Sequence, residues 1–204
     1  AKTVPVATYD EVAELAYFGA QVLHPRSMQP CLQTGTPVRV KNSYNIEAPG
    51  TIIVTSHPST PSPVRAITSK KDVTVIDIVS TRMLGQHGFL AKVFEAFAKH
   101  GISVDVVATS EVSISLTVDS KKVQFSNLRH ELEKYASIDI RKGKAIVTII
   151  CDVKRTSQIL AASFEVLARG GINIQMLSQG ASKVNISMIC DSDEADTVVR
   201  LLHG

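Results

Sequence analysis

The chain has 204 residues, of which 44% are hydrophobic and 20% charged, and it carries a formal net charge of +3. This is the composition of an ordinary globular protein with room for one large or two small domains, so disorder is not expected. No apolar run reaches the roughly 18 residues that a membrane-spanning helix needs, and the N-terminus lacks the basic-then-apolar layout of a signal peptide. The charge is too small and too scattered to argue for nucleic acid.

The pattern predicts a helix over 10–18, with Thr8 or Asp10 as cap, Val12, Leu15 and Ala16 at helical spacing, and Gly19 to close it. A shorter helix follows around 28–33 and ends at Gly35, then a strand over 37–41, a turn-rich loop over 42–50 and a strand over 51–54. These elements are too few to enclose a core. Residues 1–56 are therefore expected to be the last piece of a larger α/β domain that begins upstream, and the Ser- and Pro-rich residues 57–63 are expected to be a linker.

Beyond the linker, strands are predicted over 64–68 and 73–79, a helix over 89–99, strands over 104–108 and 112–118, a helix over 127–135 and a strand over 138–141. A strand over 145–151, a helix over 157–169, strands over 172–177 and 184–190, and a helix over 193–202 complete the chain. Part of this is an internal repeat. The segment Phe89 to Val106 returns as Ile159 to Met176 at an offset of 70 positions, and Val112 to Ser115 returns as Val184 to Ser187 at an offset of 72. A repeat of this length is a duplicated small domain, because each copy has enough apolar residues for its own sheet and helices.

Counted with 73–79, the first copy reads β-α-β-β-α-β, the order of a ferredoxin-like unit. The second copy lacks a fourth strand, and the strand over 64–68 is left over upstream. The economical solution is a mixed α+β fold of two such units, 72–142 inserted between 64–71 and 143–204.

The chemistry is sparse. Cys31, Cys151 and Cys190 are far apart and set in apolar surroundings, which suits buried free thiols in a reducing compartment better than disulfides or zinc. The histidines show no metal spacing, and neither a covalent-catalysis set nor a phosphate loop is present. The loop from Ser80 to Gly88 ends at a helix N-terminus, where glycines and unpaired N–H groups favour a carboxylate, although a tight β–α turn explains it as well. Asp105 lies in an otherwise apolar strand and needs a partner, either a ligand ammonium opposite that loop or water at the strand end. Thr109, Ser110 and Glu111 interrupt two apolar strands, as a plain hairpin loop would. On the residues alone, this is a pair of small-ligand or dimerisation modules attached to the end of an α/β domain.

Phe18 to Pro25, Pro37 to Asn42, Ala48 to Thr51, Ser80 to Gln86, Gly88 to Phe94, Ile102 to Asp105, Thr109 to Ser113 and Ser178 to Ser187 together closely resemble aspartate kinase. The likeness is strongest to the monofunctional, lysine-sensitive enzymes of plants. The resemblance implies a kinase that phosphorylates the β-carboxylate of aspartate with ATP and Mg2+, the first step toward lysine, threonine and methionine. It also implies a C-terminal half made of two ACT domains, the first inserted in the second. The family's catalytic residues lie upstream of Ala1, so this segment alone is expected to be inactive and to hold no cofactor. Gln21 and Val22 align with a segment that contacts the nucleotide. The lysine effector site maps onto Met83, Gln86, Gly88, Phe89, Leu90, Ser103, Val104, Asp105, Thr109, Ser110 and Glu111. In it, N–H groups near Gly88 and Phe89 would take the lysine carboxylate, and Asp105 with Glu111 its ammonium groups. The resemblance leaves S-adenosylmethionine and threonine open as further effectors, implies a homodimer through the ACT domains, and places the protein in the chloroplast stroma if its source is a plant or alga, otherwise in the cytoplasm. The competing function is a stand-alone amino-acid sensor or dimerisation subunit with no kinase.

Overall fold

In the computed structural model, which describes residues 3–20, 23–58, 62–80, 87–120, 125–180 and 184–204, the N-terminal stretch forms a small α/β unit. It comprises β1 (Val6–Thr8), α1 (Tyr9–Tyr17), α2 (Pro25–Thr34), β2 (Val38–Val40) and β3 (Thr51–Val54). β3 is central, parallel to β1 and antiparallel to β2. Contrary to expectation, this unit does enclose a core, built from Ala7, Tyr9, Val12, Met28 and Ile53. The element that makes the difference is β1, whose three residues are too short a run to show a period. α1 opens with a capping box: the Glu11 N–H donates to Thr8 Oγ1 at 3.3 Å, and the Thr8 N–H donates to the Glu11 carboxylate at 2.8 Å.

The rest of the described residues form one antiparallel sheet with four α-helices. Its elements are β4 (Val64–Val79), α3 (Phe89–Lys99), β5 (Val104–Thr109), β6 (Ser113–Asp119), α4 (Phe125–Leu132), β7 (Ser137–Cys151), α5 (Thr156–Arg169), β8 (Met176–Ser178), β9 (Asn185–Asp191) and α6 (Ala195–His203). The strand order is β5-β6-β4-β7-β9-β8. Two expectations need correction here. The segments 64–68 and 73–79 are halves of the single strand β4, and 138–141 and 145–151 are halves of β7. The charged residues between the halves look like loops in the sequence. In the fold, Lys71, Asp72, Lys142 and Gly143 are exposed at irregularities where the β4–β7 register slips but the pairing continues. The stretch 172–177 is strand only from Met176 onward, and α4 lies two to three residues earlier than its pattern suggests.

The long strands make the insertion visible. The first part of β4, through Lys70, pairs with the second part of β7, and Val73 to Val79 pair with β6 and with the first part of β7. The orders β5-β6-β4-β7 and β4-β7-β9-β8 are therefore each a complete ferredoxin-like sheet, with α3 and α4 on one and α5 and α6 on the other. Each unit has its own helix-side core, Ile76, Phe97, Ile114 and Leu128 in the first and Val147, Leu167, Ile186 and Val198 in the second. The opposite face carries a shared cluster in which Val73, Val75, Val106, Ile146, Met176 and Ile189 pack with Phe18 of the N-terminal unit. On that side β5 and β8 approach each other, and the Ser178 hydroxyl donates to the Val107 carbonyl at 3.2 Å.

Cys151 and Cys190 are buried free thiols, and burial foremost, with Asp152 beside the first and Glu194 beside the second, pushes both up to about 11. Cys31 is free but only half-buried. Among the described residues, no helix is long and apolar enough to cross a membrane, and no group of His, Cys, Asp and Glu could hold a metal ion.

Gly19 fixes how the N-terminal unit meets the sheet. Its φ is 107°, and a Cβ there would sit 2.8 Å from the Ser69 carbonyl oxygen. Replacing Gly19 with Ala is expected to destabilise the protein by about 1–3 kcal/mol through strain and the forced retreat of β4. Urea unfolding checks this, and an unchanged midpoint would contradict the close approach.

Candidate functional site

The candidate effector residues fall into two groups. Gly88, with φ 83°, is the N-cap of α3 and has no side chain to cap the helix, so among the described residues no side-chain cap meets the backbone donors of the first turn. Nothing crowds the Cβ position of Gly88, so the left-handed backbone alone accounts for glycine. Leu90 is exposed at this end and Phe89 is buried in the first core. Thr109, Ser110 and Glu111 are exposed on the hairpin between β5 and β6, where Ser110 Oγ accepts from the Ser113 N–H at 3.1 Å. The hairpin stands beside the exit of β4, since the Ser80 N–H donates to the Val112 carbonyl at 2.9 Å.

Ser103, Val104 and Asp105 lie at the other end of the sheet. Val104 is level with Val118 and Thr74, whereas Thr109 is level with Ile114 and Ile78. Four residues of β4 separate the two levels, about 13 Å at roughly 3.3 Å per residue. Within a single chain Gly88, at the start of α3, and the hairpin are therefore set apart from Asp105 along the sheet, and residues 81–86 of the loop lie outside the described residues. Met83 and Gln86, like Gln21 and Val22, lie outside the described residues.

Asp105 borders a cleft, but its carboxylate is buried against protein partners and does not face open water. It sits on a β-bulge, where Val104 and Val107 both join the helix-side core and the Val106 N–H, displaced from the ladder, donates to Thr117 Oγ1 at 3.0 Å. The bulge turns the Asp105 carboxylate toward α1 and β4. Lys70 Nζ donates to Oδ2 at 2.7 Å, the Tyr17 hydroxyl donates to Oδ1 at 2.8 Å, and the Asp105 side chain is only 6% exposed. The Lys70 ammonium also stands 5.6 Å from the centre of the Tyr17 ring. Burial, and then the hydrogen bond and charge of Asp105 and the charge of Glu14, push the Tyr17 phenol far above its ordinary range.

Tyr17 is one of several residues of α1 that reach the sheet, none of them singled out from the sequence. Glu11 is buried and accepts from the Thr8 N–H, pairs with His57 Nε2 at 2.9 Å and accepts from Arg65 Nε at 3.3 Å. The Asn185 side-chain amide donates to Glu14 at 2.5 Å, and the Thr68 hydroxyl donates to the Phe18 carbonyl at 3.0 Å. The spacing of 11, 14 and 18 is a legible helical face, but what it faces is set by residues far along the chain. A cleft of about 470 Å³ opens beside it, lined in part by Glu14, Tyr17, Asp105, Ser178 and Asn185. Behind it, Arg141 contacts Asp77 and Gln175, and Gln175 contacts Asp191, which also takes Lys144; this network joins the two units.

Comparison with known proteins gives these features a family. The ACT-domain family model matches residues 76–125 and 147–204, one stretch in each unit and together more than half of the chain, and the chain belongs to that family. It is 54% identical over its whole length to Aspartokinase 3, chloroplastic, of Arabidopsis thaliana, of which it covers 38%. Its structure superposes on E. coli aspartokinase III in complex with aspartate and ADP (R-state) with a TM-score of 0.87. The superposition on E. coli aspartokinase III in complex with lysine and aspartate (T-state) has a TM-score of 0.82. Both comparisons are at 33% identity and cover 99% of this chain and 46% of the other. The resemblance to aspartate kinase stands, and the chain spans about two fifths of the length of the curated relatives it matches.

Two outcomes follow from the polar contacts. Replacing Glu11 with Ala leaves the Arg65 guanidinium buried beside His57 without its carboxylate, which is expected to cost about 3–5 kcal/mol in chemical unfolding; a loss under 1 kcal/mol would mean that water takes the place of the carboxylate at roughly no cost. At Asp191, the hydrogen bond from Lys144 foremost, and that from Gln175, hold the carboxyl below its ordinary value. A carboxyl depressed by folding stabilises the folded state above its unfolded pKa, and that contribution disappears as the pH falls through the folded value. The stability gap between the parent and Asp191→Asn should therefore be constant near neutrality and narrow below about pH 4. A gap independent of pH would refute the linkage.

Proposed function

We propose that this chain is the regulatory part of an aspartate kinase and that L-lysine binds its first ACT unit as a feedback inhibitor. In this reading, residues 1–56 are the end of the catalytic domain and 57–63 the linker, 72–142 form the first ACT unit, and 64–71 with 143–204 form the second. The longer enzyme transfers phosphate from ATP, with Mg2+, to aspartate. Gln21 and Val22 belong to its nucleotide-contacting segment, and the segment described here has no catalytic group of its own. By analogy with its chloroplastic relatives, the protein works in the plastid.

The observation that carries the reading is Asp105, a carboxylate 6% exposed on the first unit that already stabilises an ammonium group, that of Lys70. A charge this buried persists only with a cation beside it. Since Gly88 and the Thr109–Glu111 hairpin lie at the far end of the same sheet, a complete site takes a second copy. β5 ends the strand order, and a two-fold axis beside it would set Asp105 of one chain near the Gly88 end of the other. Docking of α1 through Glu11, Glu14 and Tyr17 supports a regulatory role over that of a free sensor, because it joins an N-terminal α/β unit to both ACT units. The closer likeness to the R-state than to the lysine-bound T-state of the E. coli enzyme fits an effector-free arrangement.

Calorimetry of the chain against L-lysine, with threonine and S-adenosylmethionine as comparisons, tests the proposal. L-lysine should bind, and Asp105→Asn should weaken it by about 2 kcal/mol or more, at least roughly 30-fold, as for truncated charge pairs in interfaces. Lysine affinity that survives the substitution would place the site elsewhere, and binding of threonine alone would replace the effector.

A further inference from the structure

The carboxylate assigned to an effector ammonium is already occupied. Both Asp105 oxygens are engaged, Oδ2 by Lys70 Nζ at 2.7 Å and Oδ1 by the Tyr17 hydroxyl at 2.8 Å. With the Tyr17 ring 5.6 Å from the same ammonium, Lys70 sits in a small cage of carboxylate, phenol and aromatic face. That is what a ligand ammonium would seek. The two charged side chains reach each other because each leaves a sheet irregularity. Asp105 stands on the bulge of β5, and Lys70 stands where β4 slips register on passing from the second unit into the first. Lys71, the next residue, turns to Asp196 instead, at 2.8 Å.

We propose that Lys70 is a built-in stand-in for the effector ammonium, so that Asp105 is held either by Lys70 and Tyr17 or by the effector. This rests on the lysine reading above. A second ammonium cannot share so buried a carboxylate cheaply, so the effector reaches Asp105 by displacing Lys70, and the hydrogen bond from Tyr17 is broken or re-aimed in the exchange. Among the described contacts, Tyr17 to Asp105 is the hydrogen bond that ties α1 to the first unit. Glu11 to Arg65, Glu14 to Asn185 and the Phe18 carbonyl to Thr68 all tie it to strands of the second. Exchange at Asp105 therefore removes the described hydrogen bond from α1 to the first unit, leaving the apolar packing of Phe18 there, while the hydrogen bonds to the second unit remain. The N-terminal sheet, joined to α1 through the Thr8 cap, moves with the helix. Occupancy of the effector site and the Lys70–Asp105–Tyr17 contact are mutually exclusive, which is the differential contact that a two-state coupling requires.

The test uses the 204-residue chain, L-lysine as the ligand, and the variants Lys70→Met and Tyr17→Phe. Removing the internal competitor abolishes the occupied, binding-incompetent state, so Lys70→Met should bind L-lysine about tenfold tighter than the parent. Tyr17→Phe should bind tighter by a smaller factor. In the parent, saturating L-lysine should speed amide hydrogen exchange within Tyr9–Tyr17. Should Lys70→Met fail to fold, Tyr17→Phe and the exchange measurement decide, since neither removes a charge. If the parent binds L-lysine but both variants bind no tighter and exchange in α1 is unchanged, the stand-in is overturned while the lysine reading survives. If neither the parent nor any folded variant binds L-lysine, the lysine reading fails and the stand-in falls with it. Binding that appears only in Lys70→Met supports the stand-in, because the competitor then masks the site.

Discussion

The antiparallel pairing of β4 with β7 is the constraint from which the other elements hang. Pairs run from Val64 with Cys151 to Val79 with Ser137, so the strands that open and close the inserted unit are the same two that complete the other. Neither unit can separate from its neighbour without breaking its own central strands. The freedom that remains lies at the slip between Lys70 and Val73 opposite Gly143, whose φ is 69°, where a ladder can bend without losing its pairs on either side. Relative motion of the units is therefore flexing of one sheet and not reorientation about a linker. A side chain placed at the slip, as Lys70 is, stands where small changes in sheet geometry are largest.

The same pairing gives the sheet two unlike faces. On the helix side each unit packs its own core, and the two cores are separate clusters. On the other side one cluster draws Val73, Val75 and Val106 from the first unit and Ile146, Met176 and Ile189 from the second, with Phe18 laid across them. Only an element on that face can touch both units, and α1 is there. Apolar packing of Phe18 supplies adhesion but little direction, since it would tolerate small slides. Glu11 and Asp105, each buried and each matched to a cation, supply the direction. Such pairs add little net stability because their desolvation cost is nearly as large as their attraction, but a displaced partner leaves a buried charge exposed to that cost in full.

What could be read from the chain alone follows that division. The helices, the duplicated unit and the insertion were legible because they rest on local period and on counting strands. The length of β4 and β7 was not, because Ser69 to Asp72 and Arg141 to Lys144 are as polar as any loop and their strand character comes from the neighbouring strand. β1 was missed because three residues carry no period, and with it went the small core around Ile53. Asp105 was legible as a carboxylate in need of a cation. Its partners were not, since Lys70 is 35 residues away and Tyr17 is 88, and no periodicity connects them. The separation of Gly88 from Asp105 was hidden for the same reason: it is a matter of register along β5 and β6, which the pattern of apolar residues leaves open.

The two copies of the repeat also differ where the chemistry would sit. At the offset of 70, Asp105 corresponds to Gln175 and Gly88 to Gln158. Gln175 is neutral and spends its amide on Asp191 and Arg141, within the network that joins the units. Gln158 lies inside α5, which begins at Thr156, so the second copy has helix where the first has a glycine turn. A duplicated unit with two working sites would need the carboxylate and the open helix N-terminus in both copies. Here both features are present in the first copy and both are replaced in the second, one by a structural hydrogen bond and the other by an extra turn of helix. The second copy instead contributes Arg65, Thr68 and Asn185, the residues that hold α1 in place. In the proposed reading recognition falls on the first copy and most of the polar anchorage of α1 on the second, and the shared strands β4 and β7 connect them.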